Sequence, residues 1–214
     1  MRTESAPLLS VLLWVLILMV GSCAPFGAGT QKETKYYVLS SLQSAASQEP
    51  TLADLPDVGL GVGPIRMPLY LDRSDIVTRD SQHQVVIADF AQWAGPLQEN
   101  FGRVLAENLS VLLATDRVGV FPFTMSSETD YNVLVYVTRF DGMLGDKADL
   151  RARWTILDNK RKNLLFEKHT VVSEPPKDDS LESLIAAESI AVVQLSREIA
   201  EAIKEISKKQ PPKK

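Results

Sequence analysis

The ten residues YNVLVYVTRF, Tyr131–Phe140, decide the fold. Valine recurs at 133, 135 and 137, while Leu134 and Tyr136 fill the positions between. A run that is apolar on both faces reads as a central strand covered on both sides. The next stretch, DLRARWTIL (Asp149–Leu157), sets Leu150, Ala152, Trp154 and Ile156 against Arg151, Arg153 and Thr155. That is the alternation of a half-exposed strand. LDNKRKN then supplies a hairpin turn into a further strand, Leu164–Val172, and Val118–Phe121 is a short strand upstream.

Working outward, earlier strands are predicted at Tyr36–Ser40 (YYVLS), at Val58–Met67 (VGLGVGPIRM), and as a short pair, Ile76–Thr78 with Val85–Ile87. Glycines in the second of these imply a bulge or a close backbone approach. Asp89 with Gln92 has capping-box spacing. Trp93, Leu97, Phe101, Val104, Leu105, Leu109 and Leu112 then trace one helical face. Pro96 puts the start of that helix just before it. Gly102 costs about 1 kcal/mol inside a helix, which close packing on the sheet would justify. A second helix opens at Asp179–Glu182, another capping-box spacing, and carries Leu184, Ile185, Val192, Leu195, Ile199 and Ile203. Strands, helix, strands, helix is the order of an α+β fold, a mixed or antiparallel sheet with two main helices packed on it in one domain.

The chain has 214 residues, 45% of them hydrophobic, and a net charge of -4. It shows no basic stripe for nucleic acid before its last few residues. Its single cysteine, Cys23, excludes an intrachain disulfide and a cysteine zinc cage. Leu8–Val20 is almost wholly apolar, yet shorter than the about 20 residues a membrane-spanning helix needs. It ends in Val20-Gly21-Ser22-Cys23, which resembles a bacterial lipobox. On that reading residues 1–22 are a lipoprotein signal peptide and Cys23 is the lipidation site. Multiple acyl chains there would hold the protein on a bilayer stably. Ala24, where an aspartate would retain the protein in the inner membrane, favours the outer membrane. Residues 23–35 then form a lipidated tether, 36–207 the folded domain, and 208–214 (KKQPPKK) a disordered basic tail.

The chain lacks the familiar catalytic constellations. GMLGDK (Gly142–Lys147) has the wrong glycine spacing for a phosphate loop, and no G-x-S-x-G elbow occurs. His83 and His169 are too few for most metal or triad sites, and Asp178-Asp179 reads as charge at a helix start. Asn108-Leu109-Ser110 matches a glycosylation sequon inside a predicted helix and is discounted. No enzyme activity, cofactor or metal is expected. The densest candidate surface is MPLYLDRSDIVTR, Met67–Arg79. It is either a solvated connection with internal Arg–Asp pairs or a recognition edge, since Tyr and Arg are enriched where proteins meet. The recognition reading assigns a partner or self-assembly interface to Tyr70, Leu71, Arg73, Ile76, Val77 and Arg79.

The ordered set of lipobox, YYVL, VGPIRMPLYLDRSDIVTR, WAGPLQENFGRVLAENLSVLL, the tryptophan of LRARWTIL and a final helix resembles the ABC-type transport auxiliary lipoproteins, and among them the PqiC-like group. The likeness runs from Tyr36 to Ile206. The chain departs from the family's pattern at Ser74-Asp75, often Pro-Gln, and at Gln92, often Arg. The resemblance implies a non-enzymatic subunit of a lipid-trafficking system on the periplasmic side of the outer membrane of a Gram-negative bacterium. It implies docking to an MCE-domain protein and through it to a permease and ATPase, with a homo-oligomeric ring as the assembly. The competing expectation is a structural or assembly lipoprotein, pilotin-like or envelope-maintaining, with no direct transport role.

Overall fold

A computed structural model describes residues 32–43, 51–52, 55, 57–122, 129–159 and 163–209. The proposed signal peptide, Cys23 and residues 210–214 lie outside them. In chain order the elements are β1 (Lys35–Tyr37), β2 (Leu60–Arg66), a 3-10 turn (Leu69–Leu71), β3 (Asp75–Arg79), β4 (Val85–Trp93), α1 (Leu97–Leu113), β5 (Val118–Val120), β6 (Tyr131–Met143), β7 (Lys147–Asp158), β8 (Leu164–Glu174) and α2 (Leu181–Lys209). The fold is α+β, as the segment order implies.

The strands form two sheets rather than the single one expected. One has five strands in the order β5-β2-β6-β7-β8, the other three in the order β1-β4-β3. β6, β7 and β8 are an antiparallel meander, whereas β2 pairs in parallel with both β5 and β6. In the small sheet β1 is parallel to β4 and β3 antiparallel to it. Period-two alternation tells a strand which face to bury, not which neighbour to join. The meander is therefore readable from sequence and the parallel partners are not.

β6 is central, but only one of its faces is fully covered. Val133, Val135 and Val137 are buried, while Tyr136 is exposed and Leu134 half-buried. On the buried side Trp154 of β7 stands opposite Val135. Its indole N–H donates to Thr170 Oγ1 at 2.9 Å, and Thr170 in turn donates to Glu198 of α2. A register shift lies between Val137 and Arg139. Beyond it the buried position facing α1 is the even one, Phe140, edge-on to Phe101 with ring centroids 5.3 Å apart. The shift reverses the alternation, and Asp141 on the next position meets Arg79 of β3. β8 borders the large sheet and carries Glu167, Lys168 and His169 exposed along it.

α1 begins later than its periodicity implies. Asp89 and Gln92 belong to β4, which runs on to Trp93, so neither caps a helix. Pro96 occupies the cap position, its carbonyl accepting from Asn100 N at 3.0 Å. A proline disfavours helical geometry in the residue before it, which is why the strand's end cannot merge into the helix. From Leu97 the expected stripe holds, with Phe101, Val104, Leu105, Leu109 and Leu112 buried. α2 is capped by Ser180, one residue beyond the expected Asp179: its Oγ accepts from Ser183 N at 3.1 Å. Asp178 accepts from the Ser180 backbone N–H at 2.9 Å and from its hydroxyl. The Ser180 hydrogen bonds, with that from Ser183, lower the Asp178 carboxyl to about 2. Lys208 and Lys209 are still helical, so the expected tail starts two residues early; lysines suit the negative end of a helix dipole.

Two glycines separate necessity from tolerance. Gly63 lies at φ +112°, at the register shift between Val62 and Ile65, and a Cβ there would sit 2.8 Å from Phe121 Cβ. The expected close approach is real. Gly102 does pack on Ile65 and Val120, but a Cβ would meet them at 3.4 and 3.5 Å, ordinary contact. Gly63→Ala should cost about 1–3 kcal/mol in urea unfolding. Gly102→Ala should be neutral or stabilising by up to about 1 kcal/mol. Equal effects of the two would contradict this account.

Candidate functional site

The segment Met67–Arg79 begins at the end of β2, where Pro68 leads into the 3-10 turn. Two backbone hydrogen bonds fix that turn, Leu71 N to Pro68 O at 3.0 Å and Asp72 N to Leu69 O at 3.1 Å. It buries Leu71, leaves Leu69 87% exposed and swings the Tyr70 ring inward. β3 follows, with Ile76 and Val77 in the core. Of the six proposed interface residues, Leu71, Ile76 and Val77 therefore offer no side-chain surface to a partner. Arg73 is exposed and only loosely paired with Asp75, at 3.9 Å.

Tyr70 and Arg79 meet instead at Asp141, whose side chain is fully buried on β6. Asp141 Oδ1 accepts from Arg79 Nε at 2.8 Å and Arg139 Nε at 3.0 Å. Oδ2 accepts from Arg79 Nη2 at 2.8 Å and the Tyr70 hydroxyl at 2.6 Å. Both carboxylate oxygens thus use two acceptor sites each, and the Arg79 contact is a bidentate fork. Arg139 extends the network to Asp149, Nη2 to Oδ2 at 2.9 Å. Burial pushes the Asp141 carboxyl up, but the Arg79 and Tyr70 hydrogen bonds and the two arginine charges outweigh it and hold it below its usual value. Burial, reinforced by the neighbouring Asp141, pushes the Tyr70 phenol up to about 12. Two cations and two anions balance, so the cluster is a neutral clasp between the sheets.

Against this cluster lies Glu188 of α2, buried, with Oε2 lacking a hydrogen-bond partner. Desolvation, and then the charge of Asp141, raise it well above the usual carboxylate range. Sequence reading missed Asp141, Arg139, Asp149 and Glu188. The available signal was an Arg-Phe-Asp run in the interior of an apolar strand, where unpaired charge is not tolerated.

Among the described residues, two open surfaces lie near this segment. One is a groove of about 510 Å³ between the 3-10 turn, β1 and the start of α1, lined by Tyr36, Met67, Leu69, Arg73, Trp93 and Pro96 among others. The other is β4, where Val85, Val86, Ile87 and Phe90 are all exposed. The two departures from the family pattern meet beside the groove: Asp75 and Gln92 stand opposite each other, Gln92 Nε2 donating to Asp75 Oδ1 at 3.1 Å. Asn108 of the sequon is fully buried, accepting from Leu42 N at 2.8 Å and donating to Ser196 Oγ at 3.1 Å. Among the described residues no three His, Cys, Asp or Glu side chains gather as a metal site, and no helix is long and apolar enough to cross a membrane.

Residues 37–200 match the family model of the ABC-type transport auxiliary lipoprotein component. The chain is 28% identical over 165 residues to the intermembrane transport lipoprotein PqiC of Escherichia coli strain K12, covering 76% of this chain and 82% of that one. The crystal structure of protein XCC0632 from Xanthomonas campestris superposes with a TM-score of 0.65 at 15% identity, covering 81% of this chain and 99% of that one. A crystal structure of an uncharacterized protein gives 0.65 at 22% identity, covering 80% and 99%. These two share the fold.

Asp141→Asn should strand two half-buried arginines and cost about 3–5 kcal/mol. Tyr70→Phe should cost about 1–3 kcal/mol, with strong coupling to Asp141 in a double-mutant cycle. Additive losses would break the cluster account. Glu188 acts in the opposite sense. Near pH 4 and below, folded and unfolded chains both hold its proton. Above that the unfolded chain releases it and the folded chain keeps it, so stability falls as pH rises toward the folded-state value. Glu188→Gln should therefore gain stability over wild type progressively from pH 4 to pH 7, read from urea midpoints.

Proposed function

Because the chain belongs to the family of ABC-type transport auxiliary lipoprotein components, we propose that it is a non-catalytic, lipid-anchored subunit of an intermembrane lipid-transport system. The observation that carries this reading is the family match across residues 37–200, nearly the whole folded domain. The likeness to PqiC, an intermembrane transport lipoprotein, supports it. Cys23 is the anchor in this reading, and Ala24 directs the protein to the outer membrane, facing the periplasm. The domain docks a periplasmic MCE-domain protein, which links it to a permease and ATPase and supports envelope integrity.

The self-assembly surface moves from its first location. Tyr70 and Arg79 are committed to Asp141, so replacing them would test folding rather than association. The exposed apolar row Val85, Val86, Ile87 and Phe90 on β4 is the better candidate for a contact that closes a homo-oligomeric ring, with Arg73 beside the groove as a polar addition.

Protein purified from detergent-solubilised membranes should carry an MCE-domain partner, and Cys23→Ala should abolish incorporation of labelled palmitate. Absence of any such partner, or undiminished labelling, would overturn the respective part of the reading. Ile87→Asp with Phe90→Asp should shift the purified protein to a smaller species in sedimentation without lowering its urea midpoint. An unchanged sedimentation profile would exclude β4 as the ring contact.

A further inference from the structure

Leu69 is the most exposed large apolar side chain among the described residues, at 87%, and Tyr36 follows it at 66%. They are far apart in sequence yet line the same groove, together with Met67, Pro96, Arg73 and Asp72. Leu69 is not on a slack loop, because the 3-10 turn beneath it is pinned by its own backbone hydrogen bonds and by the buried Leu71. A rigid turn that presents a leucine to solvent beside an aromatic ring has the chemistry of a membrane-interface contact, the aliphatic tip entering the acyl region and the tyrosine resting at headgroup level.

Chain length says what lies opposite. Tyr36 is in β1, the first strand, and Cys23 is 13 residues before it. On the tether reading, a flexible chain of that length would have a root-mean-square span of about 20 Å. A domain of this size is about 40 Å across. An anchor at Cys23 therefore keeps the β1 end of the domain near the bilayer for most of the time, and the groove opens at that end. We propose that the groove rim formed by Tyr36 and Leu69 is a bilayer-contact surface, which seats the domain on the membrane in one orientation. This rests on the anchor reading of Cys23, and it adds a second, non-covalent attachment. Lys35 on the same strand is exposed and adds a cation for anionic headgroups.

The lone cysteine makes the test clean, since lipidation consumes the only native thiol. Mature lipidated protein carrying Leu69→Cys, or Val171→Cys on exposed β8 as a control, is labelled with nitrobenzoxadiazole. It is then reconstituted into phosphatidylethanolamine–phosphatidylglycerol vesicles. The Leu69 probe should lose fluorescence to a lipid-borne spin quencher and be shielded from iodide, and the Val171 probe should show the reverse. Two probes quenched alike by iodide, in protein that sediments with the vesicles, overturn the contact surface while leaving the anchor standing. A Leu69 probe shielded from both quenchers assigns the rim to a protein neighbour and also overturns it. Protein that fails to sediment with vesicles overturns the anchor reading and this inference together.

Discussion

The carboxylate of Asp141 holds the molecule's two sheets to each other. It sits on β6 of the large sheet and is gripped by Arg79 from β3 of the small one and by Tyr70 from the turn between them. A buried carboxylate is costly unless its partners replace the water it loses, and here both oxygens are saturated. Its net contribution to stability is modest for that reason, since desolvation consumes most of the attraction. Its geometry is another matter. A bidentate fork tolerates little displacement, so β3 has one position relative to β6. The groove beside the turn inherits its shape from that position.

Sequence patterning revealed those parts of the fold that depend on local chemistry. The β6–β7–β8 meander was legible because Leu150, Ala152, Trp154 and Ile156 alternate with polar residues and the turns between strands are polar. The two helices were legible from stripes such as Phe101, Val104, Leu105 and Leu109. Helix starts were less so: Asp89 and Gln92 have capping spacing by coincidence, inside a strand whose nine residues run to Trp93. The division into two sheets depends on parallel pairings of β1 with β4 and of β2 with β5 and β6, to which no turn or spacing points.

The candidate interface shows the same limit at the level of single residues. Tyr, Arg and Asp in a short segment do mark recognition surfaces, and MPLYLDRSDIVTR contains all three. Which of them face solvent depended on Asp141, 62 residues beyond Arg79, and on the register shift that turns it toward β3. Without that partner Tyr70 and Arg79 look available. With it, availability passes to Leu69 in the turn, to Arg73 just after it and to the β4 row, where Val85, Val86 and Ile87 break the alternation that a half-buried strand would show.

The free border of the large sheet, β8, carries an implication of its own. Eleven residues with a neighbour on one side only would ordinarily invite another chain to hydrogen-bond alongside, the first step toward fibrous stacking. Glu167, Lys168 and His169 lie exposed in the middle of that border and make such stacking unfavourable through desolvation and charge. On a two-dimensional membrane, where the proposed anchor would hold the protein and local crowding multiplies every weak encounter, such insulation would matter most. Glu167, Lys168 and His169, set between the exposed Leu164, Phe166 and Val171 of that strand, would keep surface crowding from becoming aggregation.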